Sequence, residues 1–218
     1  MRHVMVKIAI SVFLLVGMSG AAVADQFWPL HVGDKYEYIG TDHSGNTWTS
    51  WIDITEQVTL DSQEYFHLFS TNYENDGVVE DNGLFRSTED ALYSYNPGGD
   101  YLEFQKASVG TKWFLYQPDP SGYDWTVCEI VAVGSITVPY GTFSESYTRR
   151  AYECADPNNL GLGQSPSWYD TFVPGVGMVK EVDYWNDDPP MTMELTPEPA
   201  TLSLLALGGL ALLRRRRK

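Results

Sequence analysis

Between Asp25 and Thr196 no segment places apolar residues at i, i+3, i+4 and i+7 through three turns. A helix needs that spacing to bury one face. Short alternating runs stand there instead, cut by turn residues roughly every 8–12 positions, which is the signature of an all-β chain. Lys35-Tyr36-Glu37-Tyr38-Ile39 alternates polar and apolar. In the next run Trp48, Ser50, Ile52 and Ile54 share one side and Thr49, Trp51 and Asp53 the other, because successive strand side chains point to opposite faces. Residues 57–60 and 65–70 predict a hairpin turning through 61–64. Further strands are expected over 84–87, 91–95, 101–106 and 125–133, then from 136 through a Pro-x-Gly turn at 139–141 to 154, and over 168–173 and 178–185 on either side of 174–177. The 7 Trp, 14 Tyr and 9 Phe suit half-buried pleated surfaces. About ten to twelve strands at this spacing predict one antiparallel β-sandwich, or a strongly curved sheet closing on itself.

A short repeat is visible inside this pattern. Val32-Gly33-Asp34-Lys35-Tyr36 is echoed by Val109-Gly110-Thr111-Lys112-Trp113, 77 positions later. Each copy opens a strand with Val-Gly-x-Lys-aromatic, so the domain reads either as two related halves or as two similar turns.

The ends of the chain carry address information. Arg2 and Lys7 precede an apolar run from Ile8 to Gly20, and Ala22-Val23-Ala24 offers small residues ahead of Asp25. That order is expected of a Sec-type signal peptide over 1–24. At the other end Pro197-Glu198-Pro199 is an extended, rigid tripeptide, since each proline fixes φ and lacks an N–H. Fourteen uncharged residues, Ala200 to Leu213, follow, and then Arg214, Arg215, Arg216, Arg217 and Lys218. Fourteen residues is shorter than the roughly 20 of a comfortable membrane span. A basic block stays cytoplasmic and stops transfer. This ending resembles the PEP-CTERM sorting signal of Gram-negative bacteria: a Pro-Glu-Pro motif, a short apolar helix and a terminal arginine cluster. The resemblance implies recognition by exosortase, a membrane-embedded processing enzyme, after transient insertion of the C-terminal helix. It implies delivery to the envelope, the cell surface or the extracellular polysaccharide matrix. The expected organisation is a signal peptide over 1–24, a β-rich exported domain over 25–185, a linker over 186–196 and the sorting signal over 197–218. An ordinary permanent tail anchor differs only in keeping residues 200–218.

Charge narrows the partners. All but seven of the chain's 14 cations lie at its two ends, whereas 28 of its 29 acidic residues lie in residues 25–196, which therefore carry a net charge of −21. Nucleic acid is excluded, since its binding rests on cations that displace counterions from phosphate. Cys128 and Cys154 both lie in the exported part, and an oxidising compartment favours a disulfide between them. No Cys-x-x-Cys or neighbouring His supports a metal site, and no cofactor is implied.

Catalytic motifs are sparse. His31, His43 and His67 are the histidines of the exported part. None has a Gly-x-Ser-x-Gly elbow or a partner at His-x-x-x-His spacing, so a nucleophilic triad has no sequence support. Paired carboxylates would serve a glycosidase, with Glu64, Glu103 and Glu129 as candidates, but no motif surrounds them. The acidic stretches Glu74–Asn82 and Asp183–Asp188 lack the calcium-loop spacing. Trp48 and Trp51 point to opposite faces of one strand, so one of them is available to stack on a sugar ring. The expectation is a non-enzymatic binding or structural domain, with an envelope carbohydrate-active enzyme as the alternative.

Overall fold

The computed structural model describes residues 26–72, 78–97, 99–115, 125–154, 164–184 and 189–197. Its regular structure is entirely β. The first six strands are β1 (Lys35–Thr41), β2 (Thr47–Leu60), β3 (Gln63–Asn72), β4 (Val78–Ser87), β5 (Ala91–Asn96) and β6 (Gly99–Gln105). The second six are β7 (Lys112–Leu115), β8 (Trp125–Val138), β9 (Gly141–Cys154), β10 (Gln164–Val173), β11 (Gly177–Tyr184) and β12 (Met191–Leu195). Turn chemistry accounts for the corners. Asp61 and Ser62 hold φ of 49° and 66°, the left-handed pair of a two-residue hairpin turn. The turn is therefore tighter than the four residues expected from sequence, and β2 and β3 run up to it on both sides.

The strands form a single antiparallel sheet in the order β6-β5-β4-β3-β2-β1-β12-β11-β10-β9-β8-β7. Each strand but those at the two seams pairs with its sequence neighbours, and β1 pairs with β12, Tyr38 facing Leu195 and Thr41 facing Thr192. The curved-sheet expectation is met and the sandwich is corrected: consecutive hairpins extend one sheet, and its twist brings the outer strands β6 and β7 together. These two strands form no backbone ladder. Trp113 on β7 donates its indole N–H to the Leu102 carbonyl on β6 at 2.9 Å. The result is a nearly closed barrel.

Alternation sets the inside. Along β2 the residues Ser50, Ile52 and Ile54 are buried while Thr49 and Thr55 are exposed, as read from sequence. One end of the barrel is plugged by the segment before β1. Phe27, Trp28 and Leu30 are all buried. Phe27 stacks on Phe104 at 5.0 Å and lies 5.7 Å from Phe172, while Phe104 and Phe172 are 4.3 Å apart. The Phe27 N–H donates to Thr88 O and Phe27 O accepts from Gly175 N–H, which stitches the plug to the β4–β5 and β10–β11 turns. Gly177, at φ 103°, lies directly beneath the Trp28 indole, where a Cβ would sit 2.3 Å from the ring.

The repeat has a structural counterpart. Gly33 and Gly110 both adopt positive φ, 94° and 89°. Gly33 N–H donates to Ile54 O and Ile54 N–H to Asp34 O; in the second copy Gly110 N–H donates to Ile130 O and Ile130 N–H to Thr111 O. Lys35 pairs with Asp53 at 3.6 Å and Lys112 with Glu129 at 3.2 Å. Each long hairpin also shifts register just past the isoleucine, between Ile54 and Glu56 and between Ile130 and Ala132. The two six-strand halves thus open in the same way.

Two further sequence expectations change. Met191–Leu195, placed in the linker over 186–196, is strand β12 and joins the two halves between β1 and β11. Its run Met-Thr-Met-Glu-Leu alternates weakly, and only its neighbours make it a strand. The Cys128–Cys154 disulfide is also corrected. Cys128 faces Ala151 across the β8–β9 ladder and Cys154 faces Trp125. That three-residue offset is roughly 10 Å along a strand, beyond the roughly 7 Å Cα separation a disulfide spans. Cys128 is a free, buried thiol. The signal helix, the apolar C-terminal helix, Glu198, Pro199 and the basic cluster lie outside the described residues. Among the described residues, no helix is long and apolar enough to cross a membrane.

Candidate functional site: a charged cavity inside the barrel

Above the plug the barrel is not filled. A cavity of about 450 Å³ lies between β2–β6 and β9–β11. Trp28, Phe172 and Met178 line it from the plug side, with Ile52, Leu68, Leu92 and Phe85 on the walls. Polar wall positions are Asn82, Ser94, Tyr95, Glu103, Arg149, Asp170 and Glu181, beside the ring of Trp168.

Arg149 organises this wall. It lies on the inward side of β9, directly opposite Asp170 of β10. Its side chain is 11% exposed and that of Asp170 4%. Nε donates to Asp170 Oδ2 at 2.6 Å. Nη1 reaches across the interior to the Glu103 carbonyl on β6, with Glu103 Oε2 at 3.8 Å. The same Nη1 lies 3.8 Å from Cys128 Sγ. Ser94 donates its hydroxyl to Glu103 Oε1 at 2.6 Å. Burial works against the guanidinium charge, but the carboxylate of Asp170, with Glu103 behind it, outweighs burial and holds Arg149 above its ordinary range. Burial pushes the Cys128 thiol up to about 11, so it is a weak nucleophile at neutral pH.

Glu181 is placed differently. It faces Asp170 on β10 and Met193 on β12 across the sheet, and it lines the cavity. Its carboxyl group has no hydrogen-bond partner among the described residues. Burial holds it well above the usual carboxylate range, and the neighbouring charges of Asp170 and Asp183 act in the same direction. The wall thus holds one guanidinium, two acidic side chains tied to it, and a third whose pKa burial raises.

The residues singled out from sequence are scattered. Glu103 reaches the cavity. Glu64 opens β3 beside the exposed hairpin tip, and Glu129 is tied to Lys112 on the outer face. His67 stands outside the barrel between Glu56 Oε1 at 3.0 Å and Asp81 Oδ1 at 2.6 Å. The hydrogen bond to Glu56 leads in raising its pKa, desolvation opposes, and Asp81 adds to the rise. His31 pairs with Asp34 at 3.1 Å, and His43 is hydrogen-bonded to the Pro189 carbonyl. These contacts brace turns and strands. Trp48 faces inward over Gly40, whose Cβ would fall 2.2 Å from the ring. Trp51 faces outward, with Lys35 Nζ 4.1 Å from its ring centroid. Of the sorting residues, Pro197 follows β12 directly: Thr196 N–H donates to Glu37 O at 2.8 Å, so the motif begins at the barrel wall. Among the described residues, no cluster of three or more His, Cys, Asp or Glu side chains is placed to hold a metal ion.

Sequence reasoning passed over Arg149, Asp170 and Glu181. One signal was present. Asp170 interrupts the apolar run Trp168-Tyr169-Asp170-Thr171-Phe172-Val173, and a carboxylate inside such a run is rarely buried without a partner.

Comparisons with known proteins locate the address rather than the chemistry. Among curated proteins none matches the chain. Two solved structures resemble the fold. One, from Bacteroides fragilis and described as an exported protein with a YmcC-like fold, shares 12% identity at a TM-score of 0.47, covering 78% of this chain and 97% of its own. The other, from Parabacteroides distasonis and described as a lipoprotein, shares 18% identity at a TM-score of 0.41, covering 79% and 97%. Residues 195–218 match the family described as the PEP-CTERM protein-sorting motif. The chain therefore carries a PEP-CTERM sorting motif at residues 195–218, a signal that marks exported proteins of the cell envelope.

Proposed function

We propose that this chain is a non-enzymatic envelope binding protein, a β-barrel that holds a small molecule inside it. The observation that carries this reading is the cavity of about 450 Å³ with a charged and aromatic wall. Ligand sites are typically concave, mostly apolar, and fitted with a few placed polar groups. A barrel built only as a spacer has no use for a buried Arg149–Asp170 pair beside an empty volume, because a filled apolar interior is as stable or more so.

Processing by an exosortase-type enzyme at Pro197–Pro199 belongs to the same reading. The plug and the end of β12 leave the barrel at the same end, since Phe27 is bonded to the turns there and Tyr140 N–H donates to Leu195 O. A precursor held by a signal peptide and a C-terminal helix would stand on this plugged end, with the other end facing away from the membrane.

An enzyme is the second reading, favoured by Glu103 and Glu181 sharing one cavity. Against it, Glu103 and Asp170 are both engaged by Arg149, and the histidines lie outside. Thermal-shift screening separates the readings. The wild type should gain stability with a subset of small molecules, and Ser94→Trp, which places an indole in the cavity, should lose that response while staying folded by circular dichroism. Equal responses in both proteins would remove the cavity from the account. Release of product from aryl glycosides, abolished in Glu181→Gln, would replace the binding reading with the enzymatic one.

A further inference from the structure

We propose that His67, held as an imidazolium, is a proton-operated staple that sets the bend of the sheet at Leu68 and with it the shape of the cavity wall. The device belongs to the wall itself and does not depend on what the cavity holds.

Two extra residues flank β3 at one level. Between β2 and β3 the ladder passes from Ile54 facing Leu68 to Glu56 facing His67, which leaves Thr55 unmatched. Between β3 and β4 it passes from Leu68 facing Gly83 to Phe69 facing Asp81, which leaves Asn82 unmatched. A residue in excess bends its strand and increases the local twist, and here both strands beside Leu68 carry one. Leu68 is buried, and it lines the cavity together with Asn82 and Gly83. Gly83 turns at φ 89°, a conformation that suits a residue without a side chain.

His67 closes over this place from the outer face. Nδ1 stands 3.0 Å from Glu56 Oε1 on β2, and Nε2 stands 2.6 Å from Asp81 Oδ1 on β4. One side chain thus ties the two bulged strands across the strand between them. Asp81 Oδ1 also accepts the Gly83 N–H at 2.8 Å, so the oxygen that meets the imidazole holds the glycine in its turn. β3 itself adds the ring of Phe69, 4.5 Å from that of His67. No cation competes: among the described residues neither Glu56 nor Asp81 has another ion-pair partner.

Geometry decides where the proton is. An ionised carboxylate only accepts, and a neutral imidazole has one N–H and one bare lone pair. With a carboxylate at each nitrogen, the neutral ring would set that lone pair against an oxygen, whereas the imidazolium donates to both. The pKa of His67 is raised accordingly, the Glu56 bond leading. Asp81 is held below the ordinary carboxylate range, first by His67 and then by the Gly83 N–H, so it stays ionised while His67 titrates. The unfolded chain releases the His67 proton near pH 6.5, roughly the free-imidazole value, and the folded chain keeps it to higher pH. The staple's contribution is therefore complete below that pH and is lost as pH rises through the folded-state value. The neutral ring can donate to one arm only, and the paired bulges then relax.

Histidine proton NMR and amide exchange read by mass spectrometry, on the full chain purified from the envelope, test this together. Wild type, His67→Gln and Glu56→Gln are compared across about pH 5.5–9, which brackets the histidine range. Exchange in peptides from 78–87 is read against peptides of β1 and β12 in the same sample, which cancels the intrinsic effect of pH. The ring signal missing from His67→Gln should titrate in the wild type above about 6.5. Above that midpoint the 78–87 peptides should exchange at least about threefold faster relative to the reference, as expected of a local opening. His67→Gln should exchange fast at every pH, and Glu56→Gln should move the midpoint down. Should His67→Gln fail to fold, the joint shift of ring midpoint and exchange in Glu56→Gln decides. A midpoint at or below about 6.5 would overturn the proposal. So would exchange at 78–87 that ignores the midpoint, or a folded His67→Gln as protected as the wild type in acid. None of these measurements involves a bound molecule, so the staple stands or fails apart from the binding reading.

Discussion

At the residue scale the account turns on Arg149 and Glu181. Arg149 is buried, bonded to Asp170 and tied to Glu103 across the interior. Replacing it with Met leaves two carboxylates inside without their cation. Breaking one side of a buried pair costs about 3–5 kcal/mol, and denaturant unfolding of Arg149→Met should show a loss of that order. Glu181 predicts a change of the opposite sign. Its folded-state pKa is raised, chiefly by burial, while the unfolded chain ionises it near pH 4.3. Below that pH both states hold the proton and Glu181 has no effect. Above it the unfolded state loses the proton first, so stability falls with rising pH until the folded pKa is passed. Glu181→Gln should therefore match the wild type in acid and melt at higher temperature near neutrality. Melting curves across that range check the sign; a variant less stable at every pH would mean that Glu181 is an ionised structural partner.

Elements show what a sequence can and cannot reveal. Strands were legible because period-two runs such as Trp48–Ile54 and turn residues such as Gly33 leave local marks. Asp61 and Ser62 disclose a hairpin for the same reason. The barrel's closure was not legible, because nothing local distinguishes a curved single sheet from a sandwich. Strand β12 was hidden in a short Met-Thr-Met-Glu-Leu run behind two prolines, and it exists through its pairing with β1 and β11. The cavity wall was equally hidden: its four ionisable groups come from β6, β9, β10 and β11, and each looks ordinary in its own strand. The repeat adds a prediction. The β1–β12 seam carries a full ladder, whereas β6 and β7 meet through the Trp113 indole and form no ladder. Amides of β6 and β7 that face this seam should exchange with deuterium well ahead of those pairing β1 with β12. Equal protection at the two seams would mean that the barrel closes through backbone bonds.

For the whole molecule, two six-strand halves open alike and enclose one interior. One end is stitched shut by Phe27, Trp28 and Leu30, and the sorting motif departs from the wall at the same end. This arrangement gives the molecule a direction, with the start of the sorting motif at the plugged end and the cavity above. The central claim, that the interior is occupied in use, is tested most directly by native mass spectrometry of the protein recovered from its own envelope, measured beside Ser94→Trp recovered in the same way. The account predicts a small-molecule adduct on the wild type that the variant lacks. A wild type free of adduct, or one whose adduct the variant retains in equal amount, would contradict it.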